Sequence, residues 1–396
     1  MRLHACVRAA LMSASALVLL SSCRSTVSPS PTPPPVPTSP PQLTPTYRPA
    51  PSPATAAVPH PTVIALLADY RLVALHPDAG GTLQEILPAL PTANLPPIDF
   101  AAGHYLAQSS DGSLLIAPRP APPSQPNQIA LIKATSLQLE RMVLLPASAG
   151  SIRSVVVGAV TGRIYVFGDR EQDATLTVLD AGTGIVLNIW TLRGGDGRDW
   201  LVYQGAVSAD EQRVFASYHG TDTTGIDWFT LIPQGVQRCP ATMATGGCLR
   251  THGGFLLEGE HIVATTGEPE ILVLSLDGQV QGTYDTKLIG NHLEEFAIDG
   301  QMHRLYALGP CGYLGGVSVL PLLASGAPQG AATVLAPAVC GERLTLVTPG
   351  GIAVTETRAT VPNPTIPGSV VFLDTTSGTV VARIAVPAEP IDVLTR

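Results

Sequence analysis

A strand pattern that recurs seven times at nearly constant spacing most constrains the fold of this 396-residue chain. The copies are TVIALLA (62–68), SLLIAP (113–118), RIYVFG (163–168), RVFASY (213–218), HIVATT (261–266), RLYALG (304–309) and GIAVTE (351–356). Their first residues are 51, 50, 50, 48, 43 and 47 residues apart. Repeats of this length, built from short β-strands, are typical of β-propellers.

Each copy lies within a unit of four strands. A polar loop and another strand follow it, as in ATLTVLDAGTG (174–184), where Asp and Gly favour a hairpin turn. A further strand comes after that turn, and one more precedes every copy except the first; the segment GHYLAQS (103–109) is the least regular of these. The sequence therefore predicts an all-β fold, a seven-bladed β-propeller of four-stranded antiparallel blades over residues 62–396.

The two ends of this region complement each other. The first unit lacks the strand that precedes the repeated one, whereas PIDVLTR (390–396) follows the last unit as an additional strand. A solenoid with capped ends is the competing architecture, but it does not account for this match. We therefore expect the C-terminal strand to pair with the N-terminal blade and close the ring, so that no blade is left with an unpaired neighbour.

The best-formed units resemble the YVTN family of β-propeller repeats. The similarity is strongest in RIYVFGDREQDATLTVLDAGTGIVLNIWTL (163–192) and in the last two strands of the final unit (368–386). This resemblance implies a seven-bladed ring and an extracytoplasmic location in bacteria or archaea, and it implies no catalytic residues. The Trp-Asp and Gly-His signatures of WD40 repeats are absent from the corresponding positions.

The N-terminal segment has the layout of an export signal. Arg2 and Arg8 precede a short apolar run, which ends in Leu20-Ser21-Ser22-Cys23. This ending resembles the lipobox of bacterial lipoproteins, in which the chain is cut before a cysteine that then carries lipid. Residues 1–22 are thus predicted to be a signal peptide, and the lipid on Cys23 is predicted to anchor the protein to the cell membrane, facing outside the cytoplasm. An ordinary signal peptide with a chance cysteine is the alternative.

Residues 23–61 are predicted to form a lipidated stalk, because 14 of the 39 residues from 24 to 62 are proline. Proline-rich chain is extended, with a reach of about 3.1 Å per residue. Beyond the signal peptide the chain has 20 basic and 30 acidic residues and no basic run. Nucleic acid is therefore excluded as a partner. Separately, we expect the protein to be a monomer.

Four cysteines lie in the predicted propeller, and an even number in an exported protein indicates disulfides. The predicted topology places Cys239 and Cys248 in one connection, and Cys311 and Cys340 in two loops on the same face. We expect the pairs Cys239–Cys248 and Cys311–Cys340. A metal site is disfavoured because the spacing lacks a C-x-x-C pair.

The longest polar loops predict a ligand-binding face at one end of the ring, where the inner strands begin. The candidate residues there are Asp99, Arg153, Asp199, His219, Asp222, His252, His292, Glu342 and Asp392. A small polar ligand or a bound cation at the channel mouth is the functional interpretation. Solvated charges at strand starts are the alternative, since no two of these residues have the spacing of metal ligands.

The chain contains no catalytic motif of a serine hydrolase or of a zinc protease, and no nucleotide-binding loop. No cofactor is predicted. The first hypothesis is a non-enzymatic binding or scaffold module for a protein or a small polar ligand. The second hypothesis is a propeller enzyme, such as a lactonase, a lyase or a quinoprotein-like oxidoreductase. Its site would lie on the loop-rich face.

Overall fold

The computed structural model describes residues 62–77, 81–91, 103–121, 126–171, 173–193, 201–220, 223–232, 235–238, 255–265, 270–285, 295–309, 316–323, 328–347, 350–356 and 363–396. These residues form seven four-stranded antiparallel sheets arranged as the blades of a β-propeller. The predicted fold class is thus confirmed.

The first four blades are given from the inner to the outer strand. Blade 1 contains β28 (Pro390–Thr395), β1 (Val63–Leu67), β2 (Leu72–His76) and β3 (Thr82–Leu87). Blade 2 contains β4 (Ala107–Gln108), β5 (Leu114–Arg119), β6 (Gln128–Lys133) and β7 (Gln138–Leu144). Blade 3 contains β8 (Ser151–Val157), β9 (Arg163–Arg170), β10 (Asp173–Asp180) and β11 (Val186–Arg193). Blade 4 contains β12 (Leu201–Val207), β13 (Arg213–Gly220), β14 (Thr223–Ile232) and β15 (Gly235–Arg238).

The remaining three blades follow the same order. Blade 5 contains β16 (Phe255–Glu258), β17 (His261–Thr265), β18 (Glu270–Ser275) and β19 (Val280–Asp285). Blade 6 contains β20 (Glu295–Asp299), β21 (Arg304–Leu308), β22 (Val317–Pro321) and β23 (Thr333–Ala336). Blade 7 contains β24 (Leu344–Val347), β25 (Gly351–Glu356), β26 (Gly368–Asp374) and β27 (Val380–Val386). The described ranges also include a 3-10 helix, Ala147–Ala149, and contain no helix long and apolar enough to cross a bilayer.

The C-terminal strand closes the ring as the sequence predicts. Strand β28 pairs antiparallel with β1, and the paired residues run from Val63 opposite Thr395 to Leu67 opposite Pro390. The ladder places the end of the chain at the inner position of the first blade. Blade 1 therefore joins segments that are more than 300 residues apart in sequence.

Alternating residues of the second strands pack against different neighbouring blades, which explains why these strands are apolar throughout. In β1, Ile64 and Leu66 belong to a buried cluster shared with blade 2. Val63, Ala65 and Leu67 belong to a cluster shared with blade 7. Because a strand alternates its side chains between two faces and both faces are covered here, no polar alternation remains.

Arginine at the first position of a repeated strand links neighbouring blades. The guanidinium of Arg213 donates to the carbonyl of Leu276 at 3.2 Å and to the carboxylate of Asp277 at 2.8 Å, both in blade 5. That of Arg304 donates to the carbonyl of Thr375 in blade 7 at 3.3 Å. In blades 4 and 6 the Arg that begins the repeated strand is thus an inter-blade contact.

Candidate functional site

Most residues of the predicted ligand-binding face lie outside the described part of the chain. This holds for Asp99, Asp199, Asp222, His252 and His292, and for the side chain of His219. Cys23, Cys239, Cys248 and Cys311 also lie outside it. Cys340 is described and is disulfide-bonded; its pairing with Cys311 stays a prediction.

Three of the predicted face residues are described, and each has a defined environment. Arg153 is paired with Asp169 of the adjacent strand, its Nε 2.6 Å from one carboxylate oxygen. The carbonyl of Glu342 accepts a hydrogen bond of 2.8 Å from Arg343. Asp392 is fully buried in β28. These three residues therefore do not form one set of solvated charges. Asp392 contacts the residues that precede the inner strand of blade 2.

Residues Gly103–Leu106, which precede the inner strand of blade 2, contact the inner strands of four other blades. Leu106 N–H donates to the Asp392 carboxylate of blade 1 at 2.7 Å. The carbonyl of His104 accepts from Val155 N–H of blade 3 at 2.8 Å, and Gly103 N–H donates to the carbonyl of Tyr203 in blade 4.

The imidazole of His104 extends these contacts across the ring. Its Nδ1 lies 3.3 Å from an oxygen of Asp392 in blade 1, and its Nε2 lies 3.4 Å from an oxygen of Glu295 in blade 6. Blade 6 does not adjoin blade 2, so this contact spans the space that the seven inner strands surround. We call Gly103–Leu106 the channel segment.

The channel segment explains why the inner strand of blade 2 is irregular. Strand β4 has only two residues, Ala107 and Gln108, because the residues before it leave the ladder to enter the channel. The approach is close at Gly103, where a Cβ atom would lie 2.6 Å from Cα of Gln204. Only glycine fits against the blade 4 backbone without displacement.

Two cationic and two anionic side chains meet at the mouth of the channel. Glu295 begins β20, and its second oxygen lies 3.5 Å from the guanidinium of Arg343, which immediately precedes β24. Glu295, Arg343 and Asp392 are buried, whereas the side chain of His104 is 31% exposed. Together with His104 they form a charge-balanced group, the channel-mouth cluster, in which the imidazole is the accessible member.

The cluster keeps His104 protonated at neutral pH. Burial alone would lower the pKa of this imidazole, but the charge of Glu295 and the hydrogen bond and charge of Asp392 outweigh burial and raise the pKa to about 10. His104 is therefore a cation and a hydrogen-bond donor near pH 7. In that state it cannot accept a proton, so it is unsuited to act as a general base.

Further polar contacts surround the mouth. Gln204 Oε1 accepts from Phe255 N–H at 2.9 Å and so links the inner strands of blades 4 and 5. Between β1 and β2 of blade 1, burial of Tyr70 raises the pKa of its hydroxyl, and the neighbouring Tyr105 raises it further. Arg153 has the opposite, smaller effect and lowers this pKa. Within the described ranges, no group of three or more His, Cys, Asp or Glu side chains is placed to hold a metal ion.

Sequence reasoning selected one member of the channel-mouth cluster, Asp392, and missed the other three. It selected charged residues near the starts of inner strands, which is where Asp392 lies. His104, Glu295 and Arg343 also lie at or near the starts of inner strands, but none of them was selected as a candidate residue. The irregularity of GHYLAQS was the available signal, because it marks the one described inner strand of two residues.

No protein-family model matches the chain, and no curated protein matches it. Among solved structures, a periplasmic gluconolactonase from Pseudomonas aeruginosa is similar, with 14% identity and a TM-score of 0.57 over 85% of this chain and 99% of that one. A candidate 6-phosphogluconolactonase from Bacteroides uniformis matches with 14% identity and a TM-score of 0.58 over 85% and 99%. One from Bacteroides fragilis matches with 13% identity and a TM-score of 0.56 over 87% and 100%. These likenesses establish the propeller fold.

Proposed function

We propose that this protein is a lipid-anchored, extracytoplasmic propeller that hydrolyses small polar lactones at the channel-mouth cluster. The observation that carries the proposal is His104, a partly exposed imidazolium held between two buried carboxylates. The solved structures described as gluconolactonase and as candidate 6-phosphogluconolactonases, which share the fold, support the choice of substrate class. The predicted binding module becomes the second hypothesis.

Lactone hydrolysis needs a donor for the carbonyl oxygen and an acceptor for the proton of water. In the proposed reaction, His104 donates to the carbonyl oxygen, where negative charge develops as water adds to the carbonyl carbon. Glu295 accepts a proton of that water; when the ring C–O bond breaks, the protonated Glu295 returns this proton to the ring oxygen, which leaves as a hydroxyl group of the acid product. Arg343 holds Glu295 in place from its other oxygen.

The test is acid release from glucono-δ-lactone at pH 7, corrected for spontaneous hydrolysis in the same buffer. We expect the purified protein to accelerate the reaction, and His104→Gln to reduce the rate by about 100-fold or more, as loss of an oxyanion donor does. Glu140→Gln, a change on the outer strand β7, is the control and should retain activity. Far-UV circular dichroism checks that both variants are folded.

The second hypothesis, binding without chemistry, has its own supporting observation. Both ring nitrogens of His104 already face carboxylates, so the cluster is balanced without a substrate. Hydrolysis at the buffer rate by the folded protein would overturn the lactonase proposal. Saturable binding of gluconate in the same preparation would then favour a binding module.

The membrane anchor is proposed from the sequence Leu20-Ser21-Ser22-Cys23. Palmitate labelling of cells that express the full chain should label the protein, and Cys23→Ser should abolish the label and release the protein from the membrane fraction. Cys6→Ser is the matched control, because Cys6 lies in the part of the signal that would be removed. Equal labelling of the Cys23→Ser variant would contradict the anchor.

A further inference from the structure

Gln204, in the inner strand of blade 4, is a buried glutamine with only half of its amide in use. The residue is 6% exposed. Its Oε1 accepts from the N–H of Phe255, the first residue of β16, at 2.9 Å. Because a backbone N–H needs an acceptor, this bond fixes the orientation of the amide and makes Nε2 the donor. Nε2 has no hydrogen-bond partner among the residues that the structure describes.

The unpaired amide nitrogen remains available to a ligand. A polar group that is buried without a partner is unfavourable, and native proteins rarely retain one without a reason. The hydroxyl of Tyr306 is also unpaired in the described ranges, but it is sealed from solvent, whereas Nε2 of Gln204 keeps contact with solvent. Since the N–H groups of Nε2 can only donate, the ligand atom that meets them must be an acceptor.

A β-bulge at Tyr203 holds Gln204 against the channel segment. Strand β12 has one residue more than β13 between Val202 and Gln204, so the ladder register shifts there. Bulges of this kind redirect side chains and are frequent beside active sites. The bulge lets the Tyr203 carbonyl accept from Gly103 N–H, and the N–H of Gln204 donates to the Ser217 hydroxyl at 3.1 Å.

The side chain of Gln204 borders the channel-mouth cluster. A Cβ atom at Gly103 would lie 2.6 Å from Cα and 2.8 Å from Cγ of Gln204, and His104 is the next residue, with its Cα about 3.8 Å farther along the chain. Within the cluster the donors already face carboxylates. Both ring nitrogens of His104 do so, and the guanidinium of Arg343 faces Glu295. Nε2 of Gln204 therefore adds a donor that no described carboxylate occupies.

We propose that Nε2 of Gln204 is a second donor, beside His104, to the carbonyl oxygen of the lactone, an inference that rests on the proposed function. His104 must share an N–H between a carboxylate and the substrate, whereas Gln204 donates without giving up a bond. As water adds to the carbonyl carbon, negative charge grows on this oxygen, and both donors stabilise it. After the ring opens, the same donors face a carboxylate oxygen of the acid product.

Gln204→Glu separates the donor from the link between blades, because the carboxylate still accepts from Phe255 N–H but has an oxygen in place of Nε2. We expect kcat for glucono-δ-lactone, measured at pH 7 with the full chain, to fall by about 100-fold at a nearly unchanged KM. Gln237→Glu makes the same chemical change at an exposed position of β15 and should keep the parental kcat. Gln204→Met removes the donor and the link together, so it should lose kcat equally and also melt at a lower temperature.

Binding of gluconate, the acid product, tests the donor without the reaction. Calorimetric titration should show saturable binding to the parent and at least tenfold weaker binding to Gln204→Glu, since an oxygen there repels the carboxylate. That loss in a parent that hydrolyses no lactone would retain the donor and remove the proposed function. Parental kcat or parental gluconate affinity in Gln204→Glu would overturn the donor and leave Gln204 as a link between blades 4 and 5. A parent that neither hydrolyses the lactone nor binds gluconate would overturn both proposals.

Discussion

Blades 1 and 2 are neighbours in the ring, yet they depart from the regular blade in opposite ways at the inner strand. Blade 1 takes its inner strand, β28, from the far end of the chain and forms a ladder along the whole of β1. Blade 2 has only Ala107 and Gln108 in its inner strand, since the preceding residues enter the channel. The inner position thus serves ring closure in one blade and channel contacts in the other.

The two departures meet at one side chain. Asp392 belongs to the closing strand of blade 1, and its carboxylate accepts from Leu106 N–H and faces His104, both in blade 2. The carboxylate is fully buried, so its charge depends on these partners. Closure of the ring and placement of the channel segment are therefore coupled, and variants in either blade can test how strongly.

The largest effect should come from removal of the closing strand. Deletion of Ile391–Arg396 leaves β1 without its inner partner and removes the buried side chains Ile391 and Val393. We expect aggregation, or a fall in melting temperature of about 10 °C or more. Deletion of residues 25–57, a larger segment outside the predicted propeller, should leave the melting temperature unchanged. A truncated protein that melts like the parent would contradict closure by β28.

The sequence predicts those parts of the two blades whose contacts repeat from unit to unit, and it does not predict contacts that occur once. The second strands were predictable because both of their faces are buried, so each unit carries a similar apolar segment. Closure was predictable because strand counts at the two ends complement each other. The channel segment was not, since Gly103–Leu106 has no counterpart in other units. His104 and Asp392 are 288 residues apart, and no local pattern links them.

The next effect concerns the charge that joins the two blades. Asp392→Asn keeps the shape of the side chain but removes one of the two carboxylates that raise the pKa of His104. We expect that pKa to fall from about 10 toward the ordinary histidine range near 6.5. The imidazole resonances of the labelled protein, followed by NMR from pH 5 to pH 11, measure the shift. Glu140→Gln, which also removes one negative charge, should not change it.

The same pKa predicts how stability depends on pH. Because the folded state raises the pKa of His104, it holds a proton that the unfolded chain releases near pH 6.5. The resulting stabilisation is fully present below that pH and is lost as the pH rises toward about 10. Urea unfolding should therefore show lower stability at pH 9.5 than at pH 6, and His104→Gln should reduce this difference. An equal difference in unfolding free energy between pH 6 and pH 9.5 in the two proteins would contradict the raised pKa.

A smaller effect should follow from adding one methyl group to the channel segment. Gly103→Ala places a Cβ atom 2.6 Å from Cα of Gln204, and backbone in blade 4 cannot yield without cost. We expect destabilisation of about 1–3 kcal/mol, measured by urea unfolding. Gly300→Ala is the matched control, since a Cβ there meets no atom within 4 Å and the expected change is small. Equal stability of the two variants would indicate that Gly103 does not approach blade 4 as described.

The smallest effect should come from Arg396, the last residue of the chain, and it shows which part of the closing segment matters. Its side chain donates to the carbonyl of Thr135 in blade 2 at 3.2 Å, whereas its backbone N–H bonds Thr62 at 3.0 Å beside the ladder. Arg396→Ala removes only the exposed side-chain bond, so the loss should be at most about 1 kcal/mol. Thermal melting of Arg396→Ala beside the 391–396 deletion makes the comparison direct. If Arg396→Ala lowered the melting temperature almost as much as the deletion does, the side-chain bond to blade 2 would hold the ring closed. The β28 ladder would then contribute little to closure.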